Sequence, residues 1–344
     1  MDASTSGADS FDRHVETIRE LSRVGGPLTT SAPTSSMRNP AWWRGGEATP
    51  ARRRLHQQLL AAVVESQGAA EANYQAVVLA GPPGAGKGTA KARLLRDDQR
   101  SYLNIDADEF KELLLRVAIE DGSYESWLKP PAVREREEEG ERFYPLELAA
   151  LVHEESSRLA ARLRAEAMQS GTNLVIDTVL SKEAGALQLG EQLRAAGYEV
   201  QVIDVEVPYE VSQQRIRSRW QERYAKAEAG EDELGGRWVP SEFAREVFDS
   251  DTGKSWSEAA ARSLAERCPA VSRYRLLRTT AERADKPHLL PAVEVDLSRG
   301  PDGTLAPTSQ VEVIERAQAS RPPTPRRGHR PPGQSRGSGQ GAGR

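Results

Sequence analysis

Ten residues, Ala80-Gly81-Pro82-Pro83-Gly84-Ala85-Gly86-Lys87-Gly88-Thr89, have the composition and spacing of a loop that wraps phosphate. Glycines let the backbone turn its N–H groups inward around phosphate oxygens. The N-terminus of a following helix adds a favourable dipole. Lys87 would reach the outer phosphates as a point charge. A strand-like run, Ala76-Val77-Val78-Leu79-Ala80, leads in, and a helix-forming run from Thr89 to Leu95 leads out. That context separates a phosphate loop from a chance glycine cluster. Residues Gly81 to Thr89 are therefore expected to bind a nucleoside triphosphate.

Carboxylates follow at places where such a loop could use them. The next strand-like run ends Ile105-Asp106-Ala107-Asp108-Glu109-Phe110-Lys111. On a period-two strand Asp106 and Asp108 would share a face at the sheet's ligand edge, one helix and one strand beyond Lys87. A carboxylate there can accept the proton of an attacking hydroxyl or orient a metal ion. Asp108 also precedes a helical run and could cap it, a role compatible with the first. Asp177 ends the following apolar run, Asn173-Leu174-Val175-Ile176, where it could hold magnesium through water. The patch His153-Glu154-Glu155-Ser156-Ser157 lacks a second histidine four residues on, which disfavours zinc. Taken alone it reads as a solvated helical face. Arg219 and Arg237, the latter in a lid-like segment Gly235-Gly236-Arg237-Trp238-Val239-Pro240, are of the type that stabilises a transferring phosphoryl group. Composition alone would leave both arginines on the surface.

These residues need a frame to bring them together. Strand-like and helix-like runs alternate through the middle of the chain. Helical runs are expected over 109–117, 146–168, 182–196 and 211–227, and a strand over 198–207. The alternation implies an α/β fold of the P-loop NTPase type, a mainly parallel sheet with helices on both faces. Ligands on such sheets bind beyond the C-terminal strand ends. Residues 1–40 are rich in small and polar residues and are expected to be mostly disordered with one short helix, at the amphipathic stretch Phe11 to Leu21, followed by a linker from Gly25 to Pro40. Residues 41–300 would form the folded domain. Residues 301–344 would be a basic, Pro/Gly-rich disordered tail; Arg321 to Arg344 carries six arginines and no acid.

The formal net charge of −4 across 344 residues argues against nucleic-acid binding through a basic surface. A single cysteine, Cys268, fits a reducing cytoplasm, and no apolar run is long enough to span a bilayer. A cytoplasmic protein without membrane or specific nucleic-acid partners is expected.

Together the phosphate loop, Asp106-Ala107-Asp108-Glu109-Phe110, Leu151-Val152-His153-Glu154-Glu155-Ser156-Ser157, the Asp177 strand end and the Gly-Arg-Trp-Val-Pro lid resemble the zeta-toxin family of P-loop kinases, over about Val77 to Pro240. The resemblance implies ATP and Mg²⁺ as cofactors and transfer of the γ-phosphoryl group to the 3′-hydroxyl of UDP-N-acetylglucosamine. It also implies a toxin restrained by an antitoxin. Carried over residue by residue, it makes Lys87 the phosphate grip and Asp108 the base. Asp106, Glu155 and Asp177 become acceptor-side contacts, and Arg219 and Arg237 the triphosphate clamp. Metal contact would fall to Thr89 and Asp177. Two positions depart from the family pattern: Gly88 stands where Ser or Thr follows the lysine, and Val179 where a threonine is common. Gly88-Thr89 is the order found in adenylate kinases, which keeps another small metabolite, an antibiotic or a nucleotide open as acceptor. A nucleotide-operated switch without an acceptor is the alternative from a different class.

Overall fold

The computed structural model describes residues 3–284 and 291–310. Seven strands form one sheet: β3 (Gln75–Ala80), β4 (Leu103–Ile105), β5 (Leu174–Asp177), β6 (Glu199–Glu206), β7 (Val271–Arg278), β8 (Ala292–Arg299) and β9 (Leu305–Pro307). A separate two-residue hairpin, β1 (Trp43–Arg44) with β2 (Glu47–Ala48), precedes them. Among the described residues the α-helices are α1 (Ala3–Ser22), α2 (Pro50–Gln67), α3 (Lys87–Leu95), α4 (Ala107–Glu120), α5 (Pro131–Glu138), α6 (His153–Gln169), α7 (Glu183–Ala195), α8 (Tyr209–Glu228), α9 (Ser241–Glu246), α10 (Trp256–Arg267) and α11 (Ala281–Ala284).

The strand order is β4-β5-β3-β6-β7-β8-β9, parallel through β7 and antiparallel for the last two pairings. β3 lies inside the parallel part, and all of Ala76 to Ala80 are buried. Its alternating residues serve two cores. Ala76, Val78 and Ala80 join the larger cluster, while Val77 and Leu79 join a smaller one with Ala90, Leu95, Ile203 and Val205. A strand covered on both faces therefore reads as an unbroken apolar run. The register sets Leu79 beside Asp177 and Ala80 beside Asp204, so three neighbouring strands reach the ligand edge together. The α/β architecture expected from the alternation is the one observed.

Several boundaries differ from expectation. The long helical run over 146–168 is divided: a 3₁₀ segment, Pro145–Val152, precedes α6. Both parts bury apolar side chains, so periodicity did not mark the joint. Asp106 and Asp108 share no strand face, because β4 ends at Ile105. Asp106 is the N-cap of α4, its Oδ1 accepting the Asp108 N–H at 2.8 Å, and Asp108 lies in the first helical turn. The capping role considered for Asp108 belongs to Asp106.

The expected disorder of residues 1–40 is the largest correction. Phe11, Val15, Ile18 and Leu21 form the apolar stripe of α1, and all four are buried in the main core. The Phe11 ring lies 4.8 Å from that of Trp220 on α8 and 5.5 Å from that of Tyr224. Leu28, Ala32 and Ser36 beyond α1 are buried too. An amphipathic stripe gains stability only where an apolar partner face exists, and α8 supplies one. At the other end, β9 extends the sheet past the expected boundary at residue 301. The basic stretch from 321 lies outside the described residues. Among the described residues, no helix is long and apolar enough to cross a membrane.

Candidate active site

The phosphate loop connects β3 to α3. Gly81 has φ +137°, and a Cβ there would collide with the Val205 carbonyl of β6. Gly86, at φ +93°, is the left-handed N-cap of α3. Both positions exclude ordinary side chains and bring backbone close to whatever the loop surrounds. Lys87 opens the helix, and its Nζ donates to Gly81 O at 2.9 Å and Pro82 O at 3.4 Å. It also stands 3.7 Å from Asp177 Oδ1. Arg215 Nη1 on α8 reaches the same loop, 3.3 Å from both the Gly84 and Ala85 carbonyls.

Beside this loop opens a cavity of about 830 Å³. Lys87, Asp106, Asp108, Asp177 and Arg237 all line it. Asp108 is the electrostatic centre. Its carboxylate pairs with Arg237 from the Gly-Arg-Trp-Val-Pro segment and with Lys111 Nζ at 2.9 Å, one helical turn on. Burial pushes its pKa up, yet the charges of Arg237 and Lys111, with a weaker contribution from Arg219, outweigh burial and hold it well below the usual carboxylate range. Asp177 behaves oppositely: burial raises it to about 6, against the pull of Lys87. Burial and the Asp108 charge raise Asp106 as well. His153 also lines the cavity and is pushed down to about 4 by burial and by Lys111, so its imidazole is neutral at pH 7.

Three expected site residues stand elsewhere. Glu155 is fully buried and does not line the cavity. Arg52 of α2 grips it with both nitrogens, Nε to Oε1 at 2.6 Å and Nη2 to Oε2 at 2.8 Å, and His56 Nε2 lies 2.7 Å from Oε1. Burial acts to raise the Glu155 carboxyl, but these partners bring it down to about 2. Arg219 is exposed on α8 and touches Asp108 only through its field. Thr89 is exposed on α3 and does not share the cavity with Asp177. The pitch explains this, since two residues carry it about 200° round the helix from Lys87.

Two residues near the centre had no role assigned from sequence. Lys111 lies three residues after Asp108, a spacing that puts both on one helix face. Arg215 lies one turn before Arg219 on α8, and that turn brings it over the phosphate loop. The cavity also takes a wall from the N-terminal segment, including Ser22, Val24, Leu28, Thr29 and Thr30.

The zeta toxin family model matches residues 62–121 and 131–273, more than half the chain. The chain belongs to the zeta toxin family. Its fold is also that of a solved complex, AvrRxo1-ORF1:AvrRxo1-ORF2 with sulphate ions, at 18% identity and TM-score 0.50 over 79% of this chain and 73% of that one. A structure of the same pair with ATP aligns at 18% identity and TM-score 0.48, over 79% and 73% of the two chains. A chain of the PezAT toxin–antitoxin system of Streptococcus pneumoniae aligns at 15% identity and TM-score 0.45, over 73% and 83%. The comparison with curated proteins gave no match. Membership makes this chain one of the P-loop kinase toxins. The family match begins at residue 62, so α1, the cavity wall at 22–30 and the Arg52 and His56 that hold Glu155 all lie outside it.

A magnesium ion would have to draw on the oxygen ligands of this cavity. Among the described residues, no group of three or more His, Cys, Asp or Glu could hold a metal alone. Asp106 and Asp177 nevertheless face one cavity beside the phosphate loop, and both are disfavoured as anions, a state a hard cation would relieve. One or two carboxylates completed by substrate phosphates is the usual way proteins hold Mg²⁺. The residues fit that ion.

Proposed function

We propose that this zeta toxin transfers the γ-phosphoryl group of ATP to a hydroxyl of a small molecule, with the 3′-hydroxyl of UDP-N-acetylglucosamine as the first candidate acceptor. One observation carries the proposal: Asp108, Lys87 and Arg237 meet on a single cavity that opens at the phosphate loop. Loop N–H groups and Lys87 would hold the triphosphate. The acceptor oxygen would attack the γ-phosphorus in line, the bond to the β–γ bridging oxygen would break, and the acceptor proton would pass to Asp108. Asp108 is bound up with Arg237 and Lys111. Turning Arg237 from Asp108 to the γ-phosphate would free the base and neutralise the developing charge in one movement. Magnesium held near Asp106 and Asp177 would supply charge neutralisation for the phosphates. Asp106 and Asp177 are assigned to the acceptor and metal side, Arg215 to the loop, and an antitoxin is the expected protein partner.

The test is a mass spectrum of products after mixing the protein with ATP, Mg²⁺ and UDP-N-acetylglucosamine. A species one phosphate heavier than the sugar nucleotide is expected, and its absence would remove this acceptor. A second acceptor class is favoured by one observation. Residues 22–30 wall the cavity and lie outside the family match, so the acceptor pocket is partly this chain's own. The same experiment with a panel of metabolites, antibiotics and nucleotides separates the two.

A further inference from the structure

The cavity extends well past the phosphate loop, along a groove between α6 and α7. His153 and Ser157 line it near the loop, and Arg164 lines it further along the same helix. At 1.5 Å per residue, Arg164 lies about 16 Å down the helix axis from His153. Apolar side chains also line the cavity, among them Leu28, Ala150, Leu180 and Leu189. Gln188 and Gln192, one turn apart on α7, are exposed and also line it.

Arg164 differs from the other half-buried cations of this cavity. Lys87 lies 3.7 Å from Asp177, Lys111 lies 2.9 Å from Asp108, and Arg237 pairs with Asp108. Among the described residues, no carboxylate comes within ion-pair distance of Arg164. Burial alone acts on its guanidinium, lowering its pKa with no opposing charge. A guanidinium stays protonated at any pH the fold survives, so an uncompensated positive charge faces the groove. Holding such a charge partly out of water costs free energy unless an anion meets it.

We propose that Arg164 binds an oxyanion, phosphate or carboxylate, carried by the acceptor on the end remote from the hydroxyl that is phosphorylated. The proposal rests on the kinase reading above and adds to it the acceptor's length and charge. The substrate class becomes an elongated, anionic molecule whose middle tolerates apolar walls. The guanidinium fork suits two oxygens of one such group.

The experiment reads binding and not turnover, so its failure and the failure of the kinase proposal are distinguishable. Arginine-labelled protein is saturated with a non-hydrolysable ATP analogue and Mg²⁺, which fills the phosphate loop. Inorganic phosphate and, in a separate arm, acetate are then titrated while the Arg164 Nε–H resonance, assigned by its loss in Arg164→Gln, is followed. A saturable shift in at least one arm is expected, and the stronger arm names phosphate or carboxylate as the group. Arg164→Lys keeps the charge but not the fork, and weakens that binding by about tenfold or more. An Arg164 signal that moves only linearly with ionic strength in both arms, as an exposed arginine's does, would overturn the proposal. So would an Arg164→Lys protein that binds both anions as the wild type does.

Discussion

Asp108 and Glu155 make an instructive pair. Both are acids from the motifs that mark the family, both were expected to meet the acceptor, and both are paired with arginine. The Asp108 side chain keeps 38% of its accessible surface and lines the cavity, whereas that of Glu155 keeps none and lies sealed under α2. The difference lies in where the arginine comes from. Arg237 belongs to the lid-like segment beside the cavity, so its pair with Asp108 faces that cavity. Arg52 sits on α2, with Trp42 stacked at 4.0 Å from its guanidinium and Thr49 capping the helix, so its pair with Glu155 is part of the core. Chemically similar pairs thus face a cavity in one place and are sealed in the core in the other.

Substitutions should separate the two regions sharply. Arg237→Ala is expected to have the largest effect, a loss of about 10³-fold or more in kcat, as for arginines that stabilise transferring phosphoryl groups. Its thermal unfolding should stay close to wild type, because the half-buried pair lies on the cavity wall and Asp108 keeps Lys111 as a partner. A large drop in Tm with normal kcat would reverse the roles assigned to the two arginines. Glu155→Gln should do the opposite. Breaking a buried, hydrogen-bonded ion pair on one side costs about 3–5 kcal/mol, read in urea unfolding. The fraction that remains folded should keep nearly normal kcat. If kcat instead collapses while the unfolding midpoint holds, Glu155 acts on the substrate after all.

The metal side gives a smaller, pH-dependent effect. Asp177 must be deprotonated to ligate, and its pKa is raised to about 6. The Mg²⁺ concentration giving half-maximal activity should therefore rise as pH falls through about 6, and Asp177→Asn should abolish that dependence. An unchanged Mg²⁺ requirement down to pH 5 would separate Asp177 from the metal.

The smallest effect belongs to the α1 anchor. His14 lies 2.7 Å from Glu141 Oε1 and 2.8 Å from Glu147 Oε1. Burial works to lower its pKa, but Glu147 and Glu141 together raise it above the ordinary histidine value of 6.5. The protonated form is the one held between carboxylates. Its stabilisation is therefore complete below pH 6.5 and is lost as pH rises through the elevated value. Urea midpoints should fall over that window, and His14→Gln should flatten the profile. A wild-type profile that rises with pH over the same window would contradict the assignment.

Much of the candidate site's placement was legible in the chain because local chemistry dictated it. A glycine-rich turn between an apolar strand and a helix can do little else, and Asp177 at a strand end, Asp108 in the first turn of the helix after a strand and Arg237 in the lid-like segment fall where the α/β pattern gathers residues on one edge. The sheet order and the antiparallel β8 and β9 were less visible, because pairing depends on contacts far apart in sequence. Glu155 and the N-terminal segment failed for one shared reason. Whether an acid is sealed depends on a partner about 100 residues away, and Arg52 and His56 carry no local mark of that task. The amphipathic stripe of α1 was readable, but the aromatic face of Trp220 and Tyr224 that buries it appears only once α8 is in place. Thr89 misled because sequence adjacency to Lys87 says nothing of the turn a helix makes between them.

The account depends most on Asp108 as the proton acceptor at the phosphate loop. Single-turnover phosphoryl transfer by Asp108→Asn, measured beside the affinity of the same variant for an ATP analogue, tests it most directly. Transfer should fall by about 10²–10⁴-fold while nucleotide affinity stays near wild type. Transfer at the wild-type rate, with the analogue bound equally well, would contradict it.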